Sequence, residues 1–266
     1  MKRYIIIILA ILGLLMTSCK KDIEIDYHQV DPLYVVEATV SEDGMQARIS
    51  LTNNMDNNSS KSDISEALVV ITGSDGSSQT LSHKGNGIYK SSAAGTPDVE
   101  YTITIDVDGR HFTSTSTMQK APKVNDFYFI RKKIVSENFQ MAKLLIQDIP
   151  NEDNYYFSHL YRNGTGYRWA VKKDDTDPNK EQQQLFTFAR EGSDDKDLLR
   201  EGDRIRLELR SIDRKSYDYL YSMQIMDNTG TNPIPNFTGG CLGYFSAYSH
   251  VIYNYVFHEA DMKDED

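Results

Sequence analysis

Apolar and polar residues alternate with a period of two through much of the chain from residue 34 onward. The segments 101–107 and 204–212 show the pattern most clearly, and Asp-Gly pairs such as Asp43-Gly44 and Asp108-Gly109 separate neighbouring runs. Alternating runs that recur about every 8–12 residues, with turn residues between them, are typical of antiparallel sheets. The pattern therefore predicts a mainly β fold.

The β pattern divides into two parts at residues 121–122, an Ala-Pro pair. Residues 34–120 predict an N-terminal immunoglobulin- or transthyretin-like β-sandwich, and residues 121–258 predict a larger β-rich domain with one helix. On either side, residues 19–33 are expected to form an extended tether and residues 259–266 a loose acidic tail.

Helical periodicity occurs in one segment, which begins after Asp213. Asp213 can accept a hydrogen bond at the start of a helix, and Asn228 with Gly230 can end it. Between them, five residues recur at helical spacing: Tyr217, Leu220, Tyr221, Gln224 and Ile225. The Tyr and Leu face of this helix is expected to pack on the second sheet.

The predicted strand 204–212 has one apolar face and one charged face. The charged positions are Arg204, Arg206, Glu208 and Arg210. Because such a strand is usually buried on one face only, we expect these four side chains to be solvated.

An unbroken apolar run, rather than an alternating one, occupies the start of the chain. Two basic residues precede the run Tyr4–Met16, which is shorter than the roughly 20 residues of a membrane-spanning helix and has the order of a secretory signal peptide. The stretch Leu15–Cys19 (LMTSC) resembles a bacterial lipobox. The resemblance implies that residues 1–18 are removed and that Cys19 becomes an acylated N-terminus. The alternative is a plain signal peptide followed by an incidental cysteine.

The residues after Cys19 bear on where the anchored chain would lie. The stretch Lys20–Glu24 (KKDIE) resembles the surface-export signal of Bacteroidetes lipoproteins, although Ile23 separates its two acids. The resemblance implies a protein held in the outer membrane through Cys19 and facing the cell exterior. The alternative is a protein that faces the periplasm.

Net charge limits the kinds of partner that the chain favours, and cysteine content limits the disulfide bonds that it can form. The formal net charge is −10, and removal of residues 1–18, which contain Lys2 and Arg3, makes it −10 − 2 = −12. An acidic chain of this kind does not favour nucleic acid, which requires clustered cations. After lipidation Cys241 would be the single thiol, which excludes an intrachain disulfide. We expect Cys241 to be a small buried apolar side chain rather than a reactive one.

Motifs that would carry catalysis or hold a metal are weak. Asp175, Asp177 and Asn179 alternate as at the start of a calcium loop. Lys180 and Phe186, however, occupy the positions where that loop needs glycine and glutamate. A solvated acidic loop is therefore the preferred interpretation. None of the six histidines lies in a zinc motif. The sequence also lacks a G-x-S-x-G elbow and a phosphate-binding glycine loop. We therefore predict no metal, no cofactor and no enzymatic activity, with a hydrolase site dispersed along the chain as the alternative.

The most distinctive stretch of the mature chain is 236–249, NFTGGCLGYFSAYS. It resembles the N-I-x-G-G-x-G-x-F-x-A-x-S signature of the DUF4249 family, lipoproteins of Bacteroidetes, with Phe237 in place of Ile and Cys241 an unusual choice. Four shorter pieces agree with the family in order: Tyr34–Ala38, Glu66–Val69, Asn154–Tyr156 and Ser216–Tyr219. The resemblance covers residues 19–258.

The resemblance implies an association rather than a reaction. Members of this family look like partners of TonB-dependent outer-membrane receptors of the SusC type. We therefore expect a non-catalytic cell-surface lipoprotein, an accessory or ligand-binding component of a TonB-dependent nutrient uptake complex. Loops 53–63 and 172–184 would meet the ligand, whose identity is open, or the receptor. The alternative is a structural adhesin or an envelope assembly lipoprotein.

Overall fold

The computed structural model describes residues 32–52, 63–147, 149, 152–174, 181–193, 196–229 and 233–265, and strands make up most of these residues. The strands are β1 Tyr34–Ser41, β2 Gly44–Leu51, β3 Leu68–Gly73, β4 Ser78–Thr80, β5 Ser82–His83, β6 Ile88–Ser91, β7 Glu100–Val107, β8 Arg110–Thr117, β9 Val124–Ile134, β10 Glu137–Ile146, β11 Tyr155–Arg162, β12 Thr165–Lys173, β13 Gln182–Arg190, β14 Arg204–Ile212, β15 Leu242–Ala247, β16 Ser249–Val256 and β17 Lys263–Glu265. The helical elements of the described residues are the α-helix α1, Arg214–Thr229, and a short 3-10 helix, Glu259–Asp261. The prediction of a mainly β fold is confirmed.

The first two sheets form the predicted N-terminal β-sandwich. One sheet has the order β15-β1-β2-β6-β5 and the other β4-β3-β7-β8. Alternate residues of their strands point into one shared core, in which Val36, Ile49, Ile71, Ile103 and Phe112 are almost completely buried. Each such side chain contributes about 1.5–3 kcal/mol by leaving water, so this alternation is what holds the two sheets together.

A strand from far along the chain completes this first sandwich. Strand β15 pairs in parallel with β1, from Val35 opposite Leu242 to Val40 opposite Ala247. Phe245, a residue of β15, belongs to the same core as the buried residues of the first two sheets. Residues beyond 121 therefore contribute to the first core, while the division of the chain into separate domains at that point stays a prediction.

The second part of the chain adds two further sheets around a core of their own. Their orders are β13-β10-β9-β17 and β12-β11-β14-β16, and Leu144, Leu160 and Leu207 lie fully buried between them. Helix α1 packs on the opposite face of the sheet that contains β11 and β12. The larger β-rich part with a helix on one sheet is thus as predicted.

Helix α1 begins as its sequence predicts. The Oδ1 atom of Asp213 accepts a hydrogen bond from the backbone N–H of Ser216 at 2.9 Å, which satisfies one of the free N–H groups of the first turn. The Oδ2 atom of the same carboxylate accepts one from the backbone N–H of Thr117, at the end of β8. Asp213 therefore both starts the helix and ties it to the first sandwich.

Residues 259–266 were predicted to be a loose acidic tail, but residues 259–261 form a 3-10 helix and residues 263–265 form a strand. Strand β17 pairs in parallel with β9. The Nζ atom of Lys143 donates to Glu265 Oε1 at 2.9 Å, and Arg131 donates to Asp264 at 2.7 Å. The tail prediction was wrong because cations on β9 and β10 neutralise its carboxylates, and a pattern of charge within the tail alone does not reveal such partners.

Removal of residues 263–266 is expected to lower the free energy of unfolding by about 1 kcal/mol, since partly exposed ion pairs contribute little each. The hydrogen bond from Lys143 lowers the pKa of Glu265. This contribution is therefore present above the ordinary carboxyl pKa and is lost as the pH falls through the lowered one. Urea unfolding at neutral and acidic pH would measure it. A deficit of the same size in acid would contradict the ion-pair explanation.

Candidate functional site

One surface of the second part of the chain combines aromatic rings with charged groups. It is the outer face of the sheet β12-β11-β14-β16, on the side opposite its core. The strand register places His159 between Trp169 and Glu208. The same register places Phe157 opposite Arg210, and Tyr161 opposite Arg206. Because alternate residues on a strand share a face, these side chains form a continuous surface. We call it the aromatic–arginine face, defined by Phe157, His159, Tyr161, Trp169, Arg206, Glu208 and Arg210.

A buried carboxylate lies at the centre of this face. The Nε atom of Arg210 donates to Glu208 Oε1 at 2.7 Å, and Arg206 donates to Glu208 Oε2 at 3.1 Å. Glu208 is only 6% exposed. The expectation that the charged side chains of this strand are solvated was therefore wrong for Glu208. Its charge remains ionised in the sheet because two arginines compensate it.

Aromatic rings hold both arginines in place. The guanidinium carbon of Arg206 lies 4.6 Å from the ring centroid of Tyr161. That of Arg210 lies 4.3 Å from the ring of Tyr248 and 5.1 Å from the ring of Phe157. Guanidinium groups are attracted to ring faces at such distances, and a planar group between rings has few alternative orientations. The rings and Glu208 therefore hold both guanidinium groups at fixed positions, with that of Arg206 partly exposed and that of Arg210 mostly buried.

The ionisation states of the face follow from burial and charge. Burial of Glu208 would raise its pKa, but the charges and hydrogen bonds of Arg210 and Arg206 outweigh burial, so the pKa of Glu208 is lowered. Burial lowers the pKa of His159, which favours the neutral imidazole beside the two arginines. A carboxylate with a lowered pKa that already accepts from two arginines is a poor general base. The arrangement suits binding better than proton transfer.

Part of the face is open to solvent. Trp169 is 37% exposed, and Ile252, opposite Glu208 on β16, is 40% exposed. The rings of His159 and Tyr161 lie 4.1 Å apart between centroids. Gly166 leaves room for the imidazole, since a Cβ atom at this position would lie 3.1 Å from His159 Nε2. The open part thus offers ring surfaces for stacking next to fixed polar groups.

A cavity of about 420 Å³ adjoins the arginine end of the face. It is lined by Arg210 and Tyr248 together with Lys90 and residues of the β1–β2 hairpin. His250, next to the cavity, contacts Glu42 at 3.2 Å and Asp43 at 3.4 Å, which fixes the hairpin against β16. The volume falls in the range of small-molecule sites.

The residues singled out in the sequence have different outcomes. Cys19 lies outside the described residues, as do positions 53–62 and 175–180 of the predicted contact loops and calcium motif. Cys241 is 2% exposed, so the prediction that this side chain is buried is confirmed, and burial raises the pKa of its thiol to about 11, which disfavours the reactive thiolate. Among the described residues, no group of three or more His, Cys, Asp or Glu is placed to hold a metal ion. In that same part of the chain, no helix is long and apolar enough to span a membrane.

Sequence reasoning missed the aromatic–arginine face, although two of its strands carry a signal. Phe157, His159 and Tyr161 are rings at alternate positions, the same spacing as the charged row of β14. The two rows become one surface only when β11 and β14 pair in this register. Aromatic alternation next to a predicted strand with an Arg-x-Glu-x-Arg row is the pattern that would have revealed the face.

The glycine-rich stretch 236–249 proves to be structural. The side-chain amide of Asn236 exchanges two hydrogen bonds of 2.8 Å with the backbone of Phe245, as a neighbouring strand would. Gly243 has a φ of +100°, and a Cβ atom there would lie 1.9 Å from the carbonyl oxygen of Val36. The stretch therefore positions β15 against β1, and through Tyr248 it also supplies a ring that packs on Arg210 of the aromatic–arginine face.

Comparison with known proteins adds a family match. The family model described as "Domain of unknown function (DUF4249)" matches residues 20–251. No curated protein matches the chain. Among solved structures, the two fibronectin type-III domain segment from chicken tenascin is 11% identical, with 85% of this chain and 100% of that one covered and a TM-score of 0.24. A DUF4785 family protein from Legionella pneumophila is 12% identical, covering 66% of this chain and 52% of that one, with a TM-score of 0.23.

Proposed function

Since the chain belongs to the DUF4249 family, whose description assigns no activity, we propose from its own residues that it is a non-catalytic binding protein. In this proposal it is an accessory, ligand-binding component of a TonB-dependent uptake complex of the SusC type. Cys19 anchors it in the outer membrane, with the folded part facing the cell exterior. The aromatic–arginine face makes the contact with ligand or receptor.

The observation that carries the binding role is the partly open ring surface next to immobilised charges. Tryptophan and arginine are enriched in binding hot spots, and here Trp169 on β12 is separated from the arginines of β14 by strand β11 alone. Tryptophan gives a large contact area with few rotatable bonds, and neighbouring rings already restrict the arginine side chains. The rings and arginines are held by one another before any partner arrives. Such preorganisation lowers the entropic cost of binding.

The anchoring role is supported by the lipobox-like stretch that ends at Cys19. Acyl chains contribute roughly 0.8 kcal/mol per buried methylene, so more than one chain gives durable attachment. An attached protein meets a membrane receptor at high effective concentration, and a modest affinity of the face would then suffice. Anchor and face together describe an accessory component better than a free-standing enzyme.

A pull-down from the outer membrane tests the proposal. A tag is placed after Asp266, the membrane is solubilised in mild detergent, and mass spectrometry identifies what is recovered. We expect a stoichiometric TonB-dependent barrel. Trp169→Ala is expected to lower its recovery and to weaken its affinity by about 2 kcal/mol, or about thirtyfold in Kd, as for a hot-spot residue.

Leu185→Ala is the matched control, because Leu185 on β13 is 41% exposed and is not part of the aromatic–arginine face. Recovery with this variant is expected to equal that of the wild type. Recovery of the lipoprotein alone, with the barrel detected elsewhere in the extract, would contradict the uptake role and favour the adhesin or assembly role. Equal recovery with Trp169→Ala would contradict the assignment of the face.

A further inference from the structure

The hairpin of β9 and β10 ends in an exposed apolar tip. Ile134 pairs with Glu137, so Val135 and Ser136 form a two-residue turn. Val135 is 96% exposed and Ile134 is 43% exposed. Two neighbouring aliphatic side chains thus project from the end of this hairpin.

The backbone at this tip is also strained. Val135 has a φ of +60°, whereas Ser136 is not among the residues with positive φ. A turn with positive φ at its first central position favours glycine there, and a β-branched residue in this conformation is an outlier. Two other hairpins of the chain follow the usual rule, with Asp108-Gly109 and Asn163-Gly164 at positive φ. Folding alone would therefore favour glycine at position 135, and strain kept at an exposed site points to a function.

The tip is flanked by positive charge in an otherwise acidic chain. Lys133, which is exposed, precedes it directly, whereas Lys132 is half-buried and lies opposite Glu265 of β17. Glu137, the acid on the other side of the turn, is engaged by Arg190. Aliphatic side chains with the exposed Lys133 behind them match the boundary between acyl chains and anionic headgroups, where apolar groups insert and cations meet phosphates.

We propose that the hairpin tip, residues 132–135, docks on an anionic lipid surface. The inference rests on the proposed function in one respect, namely that the anchor at Cys19 holds the chain beside a membrane. The tip alone is too small for durable binding, but tethering raises its effective concentration at the surface. Docking would then fix the orientation in which the anchored protein presents its other surfaces.

Tryptophan fluorescence can report on the tip, because Trp169 is the only tryptophan of the chain. The variant Ile134→Trp on a Trp169→Phe background is purified with its native anchor and placed in nanodiscs. The discs contain phosphatidylcholine alone or phosphatidylcholine with phosphatidylglycerol. We expect a blue-shifted emission that brominated acyl chains quench, and a larger effect in the anionic discs. Lys84→Trp on the same background is the control, since Lys84 lies on a turn of the first sandwich.

Two further variants separate insertion from charge. Lys133→Gln is expected to lower the docked-to-undocked ratio about fivefold, since one cation near an anionic surface has an effect of this size. Val135→Gly is expected to raise the unfolding midpoint by relieving the strained φ and at the same time to reduce quenching. Unchanged quenching in Val135→Gly would overturn the role of the tip, and loss of quenching in a variant that still unfolds cooperatively would support it.

Solvent-like emission of the Ile134→Trp protein in both kinds of disc would overturn the proposal. Equal shifts with and without phosphatidylglycerol would overturn its anionic specificity. Failure of the chain to enter discs would instead count against the anchor in the proposed function. In that case the same proteins are held on anionic vesicles through a His tag after Asp266 and a nickel-chelating lipid, so that the tip is still tethered. Quenching of the tip tryptophan there supports docking, and its absence refutes it.

Discussion

Replacement of Gly243 by alanine is expected to lower the free energy of unfolding by about 3–5 kcal/mol, because two penalties act at one position. The φ of +100° strains any residue with a Cβ atom, and that atom would lie 1.9 Å from the carbonyl oxygen of Val36. The obstacle is the backbone of β1, which cannot move aside as a flexible side chain could. Relief requires that β15 separate from β1 and open the first core.

Gly240→Ala separates the two penalties. Gly240 has a φ of +85°, but a Cβ atom there would meet no atom within 4 Å. Strain alone is expected to cost about 1 kcal/mol at this position. Chemical denaturation of both variants measures the difference. Equal destabilisation by the two substitutions would show that the close approach to Val36 is not what position 243 requires.

Replacement of Glu208 by glutamine is expected to lower the free energy of unfolding by about 2–3 kcal/mol at neutral pH, since it leaves two arginines without their shared carboxylate. This loss of stability is no greater than the smallest losses seen when fully buried ion pairs are broken, because the side chain of Arg206 is 37% exposed. Glutamine nearly preserves the volume of the side chain. The loss therefore reports charge rather than packing.

The pH dependence of this effect has a definite sign. The folded-state pKa of Glu208 is lowered from its ordinary value of 4.5. Its stabilisation is therefore fully present above pH 4.5 and disappears as the pH falls through the lowered value. Urea unfolding from neutral to acidic pH should show the wild type and Glu208→Gln converging in acid.

Glu137→Gln is the matched control, because Glu137 pairs with Arg190 while both side chains remain about half exposed, at 47% and 50%. Its effect is expected to be no more than about 0.5 kcal/mol. If Glu208→Gln were as mild as this control, the arginines would be satisfied without the carboxylate. The aromatic–arginine face would then not depend on its central charge.

Local features of the fold could be predicted because they depend on neighbours in sequence. The strand 204–212, the cap at Asp213 and the turn at Asp108-Gly109 follow from alternation, side-chain acceptors and permitted φ values. The burial of Cys241 follows from its small apolar character. In each case the deciding interaction lies within a few residues or is a general preference of the side chain.

Features that depend on distant partners could not be predicted in this way. From its sequence alone, the charged face of β14 is expected to be solvated. In the fold, β11 places aromatic rings on one side of it and β16 lies on the other side. The acidic tail is likewise expected to be loose from its sequence, but in the fold Lys143 and Arg131 donate hydrogen bonds to its carboxylates. The candidate site belongs to this class, because its two rows of side chains become one surface only through the register of paired strands.

The parallel pairing of β1 with β15 also has a consequence for the order of folding. The partners Val35 and Leu242 are separated by about 200 residues, which is most of the chain. Closing a loop of that length is slow, and β1 exposes an unsatisfied edge until β15 arrives. A chain that emerges from a translocation channel N-terminus first would hold its first sandwich unfinished until almost all of it had emerged. During transit, such a chain would benefit from a chaperone that binds its unfinished first sandwich. Pairing of β15 with β1 would end that requirement.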